Sequence, residues 1–301
     1  MLKIAFVVAL AVFLFTSVFG NEGASNRNSV AAEEWRKRHL KESNVEPLMI
    51  KRFIYMNMDS STDRRKHMED MLVPLGIPVE RVVPLNVNGT WGLTHDWEEG
   101  HHRKFCEFEE NNHIVSMKEK PGASSLYLTT KMIVERVCDN KVKGVKPGDL
   151  VMILEDDVDF DPEWDVRFEA AMHSLYYHAP NWTVSRFGSW GDQRKQDKIN
   201  KYWHRVKEPL FEAGWPPRYY YCGILSLVLE VGERSQPLCK LLREGEICWI
   251  EHKLIDPAFD TYVIDHRYTV AHHGHFESVR AKIDGHRRKR KLKLTPQQVL
   301  N

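Results

Sequence analysis

A short apolar segment that ends in three consecutive acidic residues is the feature that most constrains how this chain can fold. Residues 150–154, LVMIL, form a continuous apolar run, which predicts a strand buried in the centre of a parallel sheet. Glu155, Asp156 and Asp157 follow at once. Ligands of open α/β folds bind at the carboxyl edge of the sheet, so these three carboxylates are predicted to lie at a binding site.

The surrounding pattern predicts an α/β fold. Residues 50–58 alternate as in a strand, a helix follows with Met68, Met71, Leu72 and Leu75 on one face, and residues 81–85 form a second strand. Strand, helix and strand in this order indicate a βαβ unit. Further helices are predicted over residues 124–138 and 233–243, and another helix is predicted to begin with Asp161 as its cap and Pro162 as its first residue. Further strands are predicted over residues 183–190 and 219–229.

The acidic run suggests a bound cation. Adjacent carboxylates repel one another, so they are stable together when a cation neutralises them. Carboxylate oxygens are hard ligands, which favour Mg²⁺ or Mn²⁺. An ion bound there could bridge a diphosphate. The alternative is a solvated acidic loop in which Asp159 and Asp161 serve only as turn and cap residues.

The N-terminus predicts entry into the secretory pathway. Lys3 precedes an apolar run over residues 4–19, which is typical either of a cleaved signal peptide or of an uncleaved signal anchor that would attach the chain to a membrane. We assign residues 1–20 to this signal, 21–46 to a polar stem, 47–283 to the catalytic domain and 284–301 to a basic tail. With either signal, the chain is expected in the lumen of the endoplasmic reticulum or Golgi, or to be secreted.

Cysteines and sequons fit that compartment. Five cysteines permit disulfides, although the odd count leaves at least one unpaired within the chain and the pairing is not readable. The sequons begin at Asn88 and Asn181 and predict a glycoprotein. The net charge of +1 gives no reason to expect a nucleic-acid partner. The irregular stretch over residues 87–119 is predicted to be a loop over the cleft.

Several segments resemble one known family. They are IYMNMDSSTDRRKHMEDML at residues 54–72, ILEDDVDF at 153–160, YYYCGILSLVLE at 219–230, DPAFDTYV at 256–263 and the serine of HFESVRA at 275–281. Together they resemble glycosyltransferase family 25, which includes lipooligosaccharide and procollagen galactosyltransferases. The resemblance implies a GT-A-type, Rossmann-like fold with a mainly parallel central sheet flanked by helices. It also implies inverting transfer of a sugar, most often galactose from UDP-galactose, to a glycan or glycoprotein acceptor.

The resemblance also implies roles for individual residues. Asp157 would bind Mn²⁺ or Mg²⁺, Glu155 and Asp156 would be its neighbours in the donor site, and Asp59 and Arg64 would contact the nucleotide. Inverting transfer needs a base that takes the proton of the acceptor hydroxyl.

Position in the sequence suggests Asp256 and Asp260 for that base, and the resemblance favours Asp260, which matches the later acidic residue of the family. His272 either completes the metal sphere or, like His273 and His275, is an ordinary surface or packing residue.

One departure from the family pattern keeps other functions open. Residues 121–130, PGASSLYLTT, have no histidine where the family has a Ser-His pair. A secreted carbohydrate-binding protein that kept the fold but lost turnover is therefore the main alternative. A metal-dependent hydrolase is a weaker one, because the chain has no H-x-D or H-E-x-x-H motif.

Overall fold

A computed structural model describes residues 48–84, 105–110, 113–190, 197–206, 222–256 and 258–273. The predicted signal, the whole of the predicted stem and the basic tail lie outside these residues. The strands are β1 Ile50–Met56, β2 Val79–Val82, β3 Glu107–Glu110, β4 His113–Ser116, β5 Leu150–Glu155, β6 Val158–Phe160, β7 Val184–Trp190, β8 Asp197–Lys198, β9 Trp203–Arg205, β10 Cys222–Glu230, β11 Thr261–Ile264 and β12 Ala271–His273. The helices are α1 Thr62–Leu72, α2 Pro121–Cys138, α3 Trp164–His178, α4 Gln236–Glu244 and α5 Ile250–Lys253.

The chain has an α/β fold built on one large mixed sheet. Eight strands lie in the order β2-β1-β5-β10-β7-β11-β9-β8. The pairs β1–β2, β1–β5 and β7–β11 are parallel, whereas β10 and β9 are antiparallel to their neighbours. Six of the eight strands therefore run in one direction, and their carboxyl ends share one edge of the sheet.

Helices cover both faces of this sheet. On one face α1 and α3 pack through Met68, Leu72, Trp164 and Phe168 against side chains of alternate strand positions such as Phe53. On the other face α2, α4 and α5 pack against the remaining strand positions, with buried Tyr127, Val134, Leu238, Leu242 and Ile250. Because both faces are covered, β5 is apolar at every position from Leu150 to Leu154, as predicted for a central strand.

The predicted elements agree with the structure except at several boundaries. Asp161 and Pro162 do not cap α3, which begins at Trp164 after Glu163 in a left-handed conformation at φ 61°. The Asp161 carboxylate instead accepts a hydrogen bond from Arg167 at 2.9 Å. Part of the predicted loop over residues 87–119 is a hairpin of β3 and β4, whereas residues 85–104 lie outside the described part.

The segment after β11 crosses the sheet edge to reach β6. The Val270 amide donates to the Phe187 carbonyl at 3.2 Å, and the Asp161 amide donates to the Val270 carbonyl at 3.1 Å. β12 then pairs antiparallel with β6, and Ala271 lies directly against Gly188 of β7. This crossing brings residues 271–273 beside the segment that follows the acidic run.

Two disulfides tie the chain together on the side of α2. Cys106 pairs with Cys248, and Cys138 at the end of α2 pairs with Cys239 of α4. The sequence left this pairing open, because it depends on distances between residues more than 100 positions apart. Within the described ranges, no helix has both the length and the apolar character needed to cross a membrane.

The crossing at Gly188 gives a first test. We expect Gly188→Ala to lower the free energy of unfolding by about 1–3 kcal/mol, because the new Cβ would lie 2.3 Å from the Ala271 carbonyl oxygen. Exchange of the Val270 amide, measured by hydrogen–deuterium exchange, should accelerate. Gly76→Ala is the control: it strains a turn at φ 69° with no atom within 4 Å, so it should leave Val270 protected. Equal protection in both variants would contradict the crossing.

Candidate functional site at the carboxyl edge

The acidic run lies at the carboxyl edge of β5, as predicted. Asp156 and Asp157 are buried, with 9% and 3% of their surface exposed. Glu155 points to the α2 face, where its Oε1 accepts a hydrogen bond from the Ile224 amide of β10 at 2.7 Å. The strand tip is therefore tied to the neighbouring strand, and the two aspartates are held away from bulk water.

Arg64 of α1 lies between the two aspartates. Its Nη1 donates to Asp156 Oδ1 at 2.6 Å and to Asp157 Oδ2 at 3.1 Å. Arg64 is itself only 7% exposed. A guanidinium in this position relieves the repulsion that two buried carboxylates would otherwise have, so the protein supplies a positive charge where the sequence predicted a metal ion.

The residues after β1 extend this network towards the surface. Asn57 Nδ2 donates to Asp156 Oδ2 at 2.7 Å, and Asn57 Oδ1 accepts from Arg81 Nε at 3.0 Å. Arg81 also pairs with Asp59, whose side chain is 75% exposed. Asp59 and Arg64 were both predicted to contact a nucleotide. Only Asp59 presents its carboxylate openly at this edge, whereas Arg64 is engaged with the acidic run.

Histidines lie around the segment that follows the acidic run. His67 Nε2 is 3.0 Å from Asp159 Oδ1 and 3.0 Å from the Val158 carbonyl oxygen. His272 Nε2 is 3.0 Å from Asp161 Oδ1, and register on β12 places His272 opposite Asp159. The structure thus brings His272 to the edge predicted for it, but its contact is with Asp161.

Asp256 and Asp260 lie at the other edge of the sheet. Asp260 precedes β11, which is parallel to β7, and its carbonyl accepts from the Thr183 amide at 2.9 Å at the start of β7. The Asp260 carboxylate pairs with Arg205, and Asp256 Oδ1 caps the Ala258 amide at 2.9 Å. The structure does not bring either acid together with Asp157.

Asp265, at the carboxyl end of β11, is the acid that the sequence analysis missed. It is 6% exposed and accepts from Arg267 Nε at 2.9 Å and Nη2 at 2.8 Å, with His204 Nε2 at 3.1 Å. The bonds from Arg267 are the main cause of its strongly lowered pKa, which also makes Asp265 a weak proton acceptor. Asp265 directly follows the strand TYVI, just as the acidic run directly follows the apolar run LVMIL, so the same pattern could have identified Asp265.

The side chains around Asp156 are not arranged as a site for a divalent ion. Both carboxylate oxygens of Asp156 already accept hydrogen bonds, and Asp157 shares Arg64. Over the described ranges, no group of three or more His, Cys, Asp or Glu side chains could hold a metal ion. The oxygen donors are of the right chemical type, but their arrangement does not fit a resident Mn²⁺ or Mg²⁺, which stays a prediction from the sequence.

Comparison with known proteins assigns no family to the chain. No family model matches the chain, and a search of curated proteins finds no match. The site therefore has to be interpreted from its own geometry.

The Arg64 network gives a second test. We expect Arg64→Met to lower the free energy of unfolding by about 3–5 kcal/mol, because it leaves two buried carboxylates without their shared cation. Lys66→Met on the same helix is the control: Lys66 and Asp70 are exposed, so its effect should stay within about 0.5 kcal/mol. Urea unfolding measures both. Similar values for the two variants would show that Arg64 does not stabilise the acidic run.

The Asp265 cluster gives a third test, in pH dependence. Because the pKa of Asp265 is lowered on folding, its contribution is present above the unfolded pKa of about 4 and is lost as the pH falls through the folded value. We expect Asp265→Asn to lower the free energy of unfolding at pH 7 by about 1–3 kcal/mol. The difference from the parent should shrink below about pH 4. A difference that stays constant from pH 7 to pH 2.5 would contradict this origin.

Proposed function

We propose that this chain is a glycosyltransferase with a GT-A-type fold, related to family 25, that uses a nucleotide-sugar donor. One observation carries the proposal. The two segments with the most informative resemblance, residues 54–72 and 153–160, meet in the folded chain, where Asn57 and Arg64 both hydrogen-bond Asp156. Segments about 90 positions apart in the sequence thus build one site at the edge where α/β folds bind ligands.

The proposed donor site is the region around Asp59, Arg81 and the acidic run. Asp59 and Arg81 lie after β1 and within β2, and the side chain of Asp59 is mostly exposed. There they could contact the ribose or base of a nucleotide, while Asn57 and Arg64 fix the buried aspartates. We propose UDP-galactose as the donor and a glycan or glycoprotein as the acceptor, because the family resemblance implies both.

Inversion requires a base on the acceptor side of the sugar. Asp256 and Asp260 lie at the opposite sheet edge, which supports a base from the carboxyl edge. Asp159 is a partly exposed carboxylate there, with 45% of its side chain accessible, and it contacts His67. Its exposure leaves room for an acceptor hydroxyl, whereas the burial of Asp156 and Asp157 does not.

The lumen of the secretory pathway is the proposed location. Two disulfides are typical of an oxidising compartment. The side chain of Asn181, which begins one of the two sequons, is exposed in the turn before β7, so a glycan could be attached there. The predicted N-terminal signal, with cleavage or membrane anchoring as its alternatives, lies outside the described residues.

A carbohydrate-binding protein without turnover is the second candidate. The hydrogen bonds from Arg64 to both aspartates favour it, because carboxylates engaged in this way resemble a structural network more than a metal centre. The start of α2, PGASSLYLTT, also lacks the Ser-His pair of the family pattern. Such a protein would bind sugars or nucleotide sugars and release no nucleotide.

Nucleotide release separates the two candidates. The purified chain is incubated with a panel of UDP-, GDP- and CMP-sugars, with and without glycan acceptors, in Mn²⁺, in Mg²⁺ and in EDTA. We expect acceptor-dependent release from UDP-galactose. Asp157→Ala should reduce kcat/KM about 100-fold, because misplacing Arg64 disturbs the donor site.

Asp70→Ala, an exposed acid on α1, is the matched control and should retain parental activity. Binding of a nucleotide sugar without release in any condition would favour the second candidate. Equal activity of the parent and Asp157→Ala would remove the acidic run from the catalytic site.

A further inference from the structure

We infer that Arg64 takes the place of a divalent ion at Asp156 and Asp157, so that the carboxyl edge works without a resident metal. The inference rests on the proposed function for what this edge does, and it adds that the donor site needs no divalent ion. Its central measurement, binding of Mn²⁺ alone, does not depend on that function.

Both carboxylate oxygens of Asp156 already accept hydrogen bonds. Asp156 Oδ1 accepts from Arg64 at 2.6 Å and Asp156 Oδ2 accepts from Asn57 at 2.7 Å. A metal ion could use only a remaining lone pair of Asp156, and it would then lie beside one of these donors. Asp157 Oδ2 lies 3.1 Å from the same Arg64 nitrogen, so an ion bound there would lie close to a fixed positive charge.

Arg64 cannot easily move away. It is 7% exposed and belongs to α1, whose Met68 and Leu72 are fully buried in the core. Arg64 lies in the first turn of α1, whose amide end adds a partial positive charge on the same side. Expelling the guanidinium would break its ion pairs with two buried carboxylates, and ion binding would have to exceed that cost.

A metal ion at this edge would also need ligands besides Asp156 and Asp157. The two histidines near the acidic run contact different acids: His67 contacts Asp159, and His272 contacts Asp161, each at 3.0 Å. In these two contacts each imidazole lies against an acid that follows the acidic run. The guanidinium of Arg64 therefore occupies the place where Mn²⁺ or Mg²⁺ would bind. His272, the histidine expected to complete the metal sphere, contacts Asp161 instead.

The charges agree with this interpretation. Arg64 and Arg81 contribute two positive charges to the network, against three negative charges from Asp59, Asp156 and Asp157. One net negative charge remains, where three would remain without the arginines. The reason given by the sequence for a divalent ion, repulsion between crowded carboxylates, is thus largely met by the chain itself.

Electron paramagnetic resonance tests the inference, since free Mn²⁺ gives a strong signal that weakens on binding. The full chain is titrated with Mn²⁺ alone. We expect no stoichiometric site in the parent protein. Arg64→Met removes the competing cation and should raise Mn²⁺ affinity about 10–100-fold, a range typical of changes beside metal ligands. The double variant Arg64→Met with Asp157→Ala should lose that gain.

Two further variants keep the test decisive if Arg64→Met is poorly folded. Arg64→Lys retains the positive charge, so its affinity for Mn²⁺ should stay as low as that of the parent. Lys66→Met removes an exposed charge from the same helix and should leave Mn²⁺ binding unchanged. Circular dichroism reports whether each variant is folded, and a tight Mn²⁺ site in the parent would overturn the inference without any variant.

The outcomes separate the inference from the proposed function. One tight Mn²⁺ site in the parent that Asp157→Ala abolishes would overturn the inference, and sugar transfer could still occur. A folded Arg64→Met that gains no Mn²⁺ affinity would also overturn it. Transfer or UDP binding that is equal in EDTA and in Mn²⁺ would support it. If no nucleotide sugar is bound or used, the proposed function fails, and the Mn²⁺ titrations still decide the inference.

Discussion

The contact of Arg64 with Asp156 and Asp157 is the interaction on which the rest of this edge depends. Two buried aspartates at the tip of a central strand are tolerated because a buried guanidinium lies between them. The same contact ties α1 to β5, and through Asn57 and Arg81 it ties β1 and β2 to the same point. The ion pairs of Arg64 therefore stabilise the same arrangement of β1, β2 and β5 that brings these residues together.

The direction of the strands decides which acids can act together. Asp157 and Asp265 follow strands that run the same way, so they share one edge of the sheet, whereas Asp260 precedes β11 and belongs to the other edge. The crossing of residues 266–270 over β7 then brings His272 beside β6. The proposed active centre therefore lies at this edge, where the exposed Asp59 and Asp159 lie near the buried Asp156 and Asp157.

Much of the fold could be predicted from local patterns. The apolar run of β5 identified a central strand because a strand covered on both faces has no need of polar positions. The helix that carries Met68 and Leu72 followed from its period, and the position of Asp157 at the carboxyl edge followed from the strand it ends. The start of α3 was misplaced, because Asp161 binds Arg167 and His272 instead of capping the helix.

The sequence by itself determined the α/β class, the central strand and the acidic tip, since these depend on residues close together in the chain. Only the tertiary structure decided that Arg64 reaches the tip, that Asp260 lies at the far edge, and that Cys106 pairs with Cys248 and Cys138 with Cys239. Each of these depends on the order and direction of strands. Those are set by packing between distant segments, and no local pattern of side chains records them.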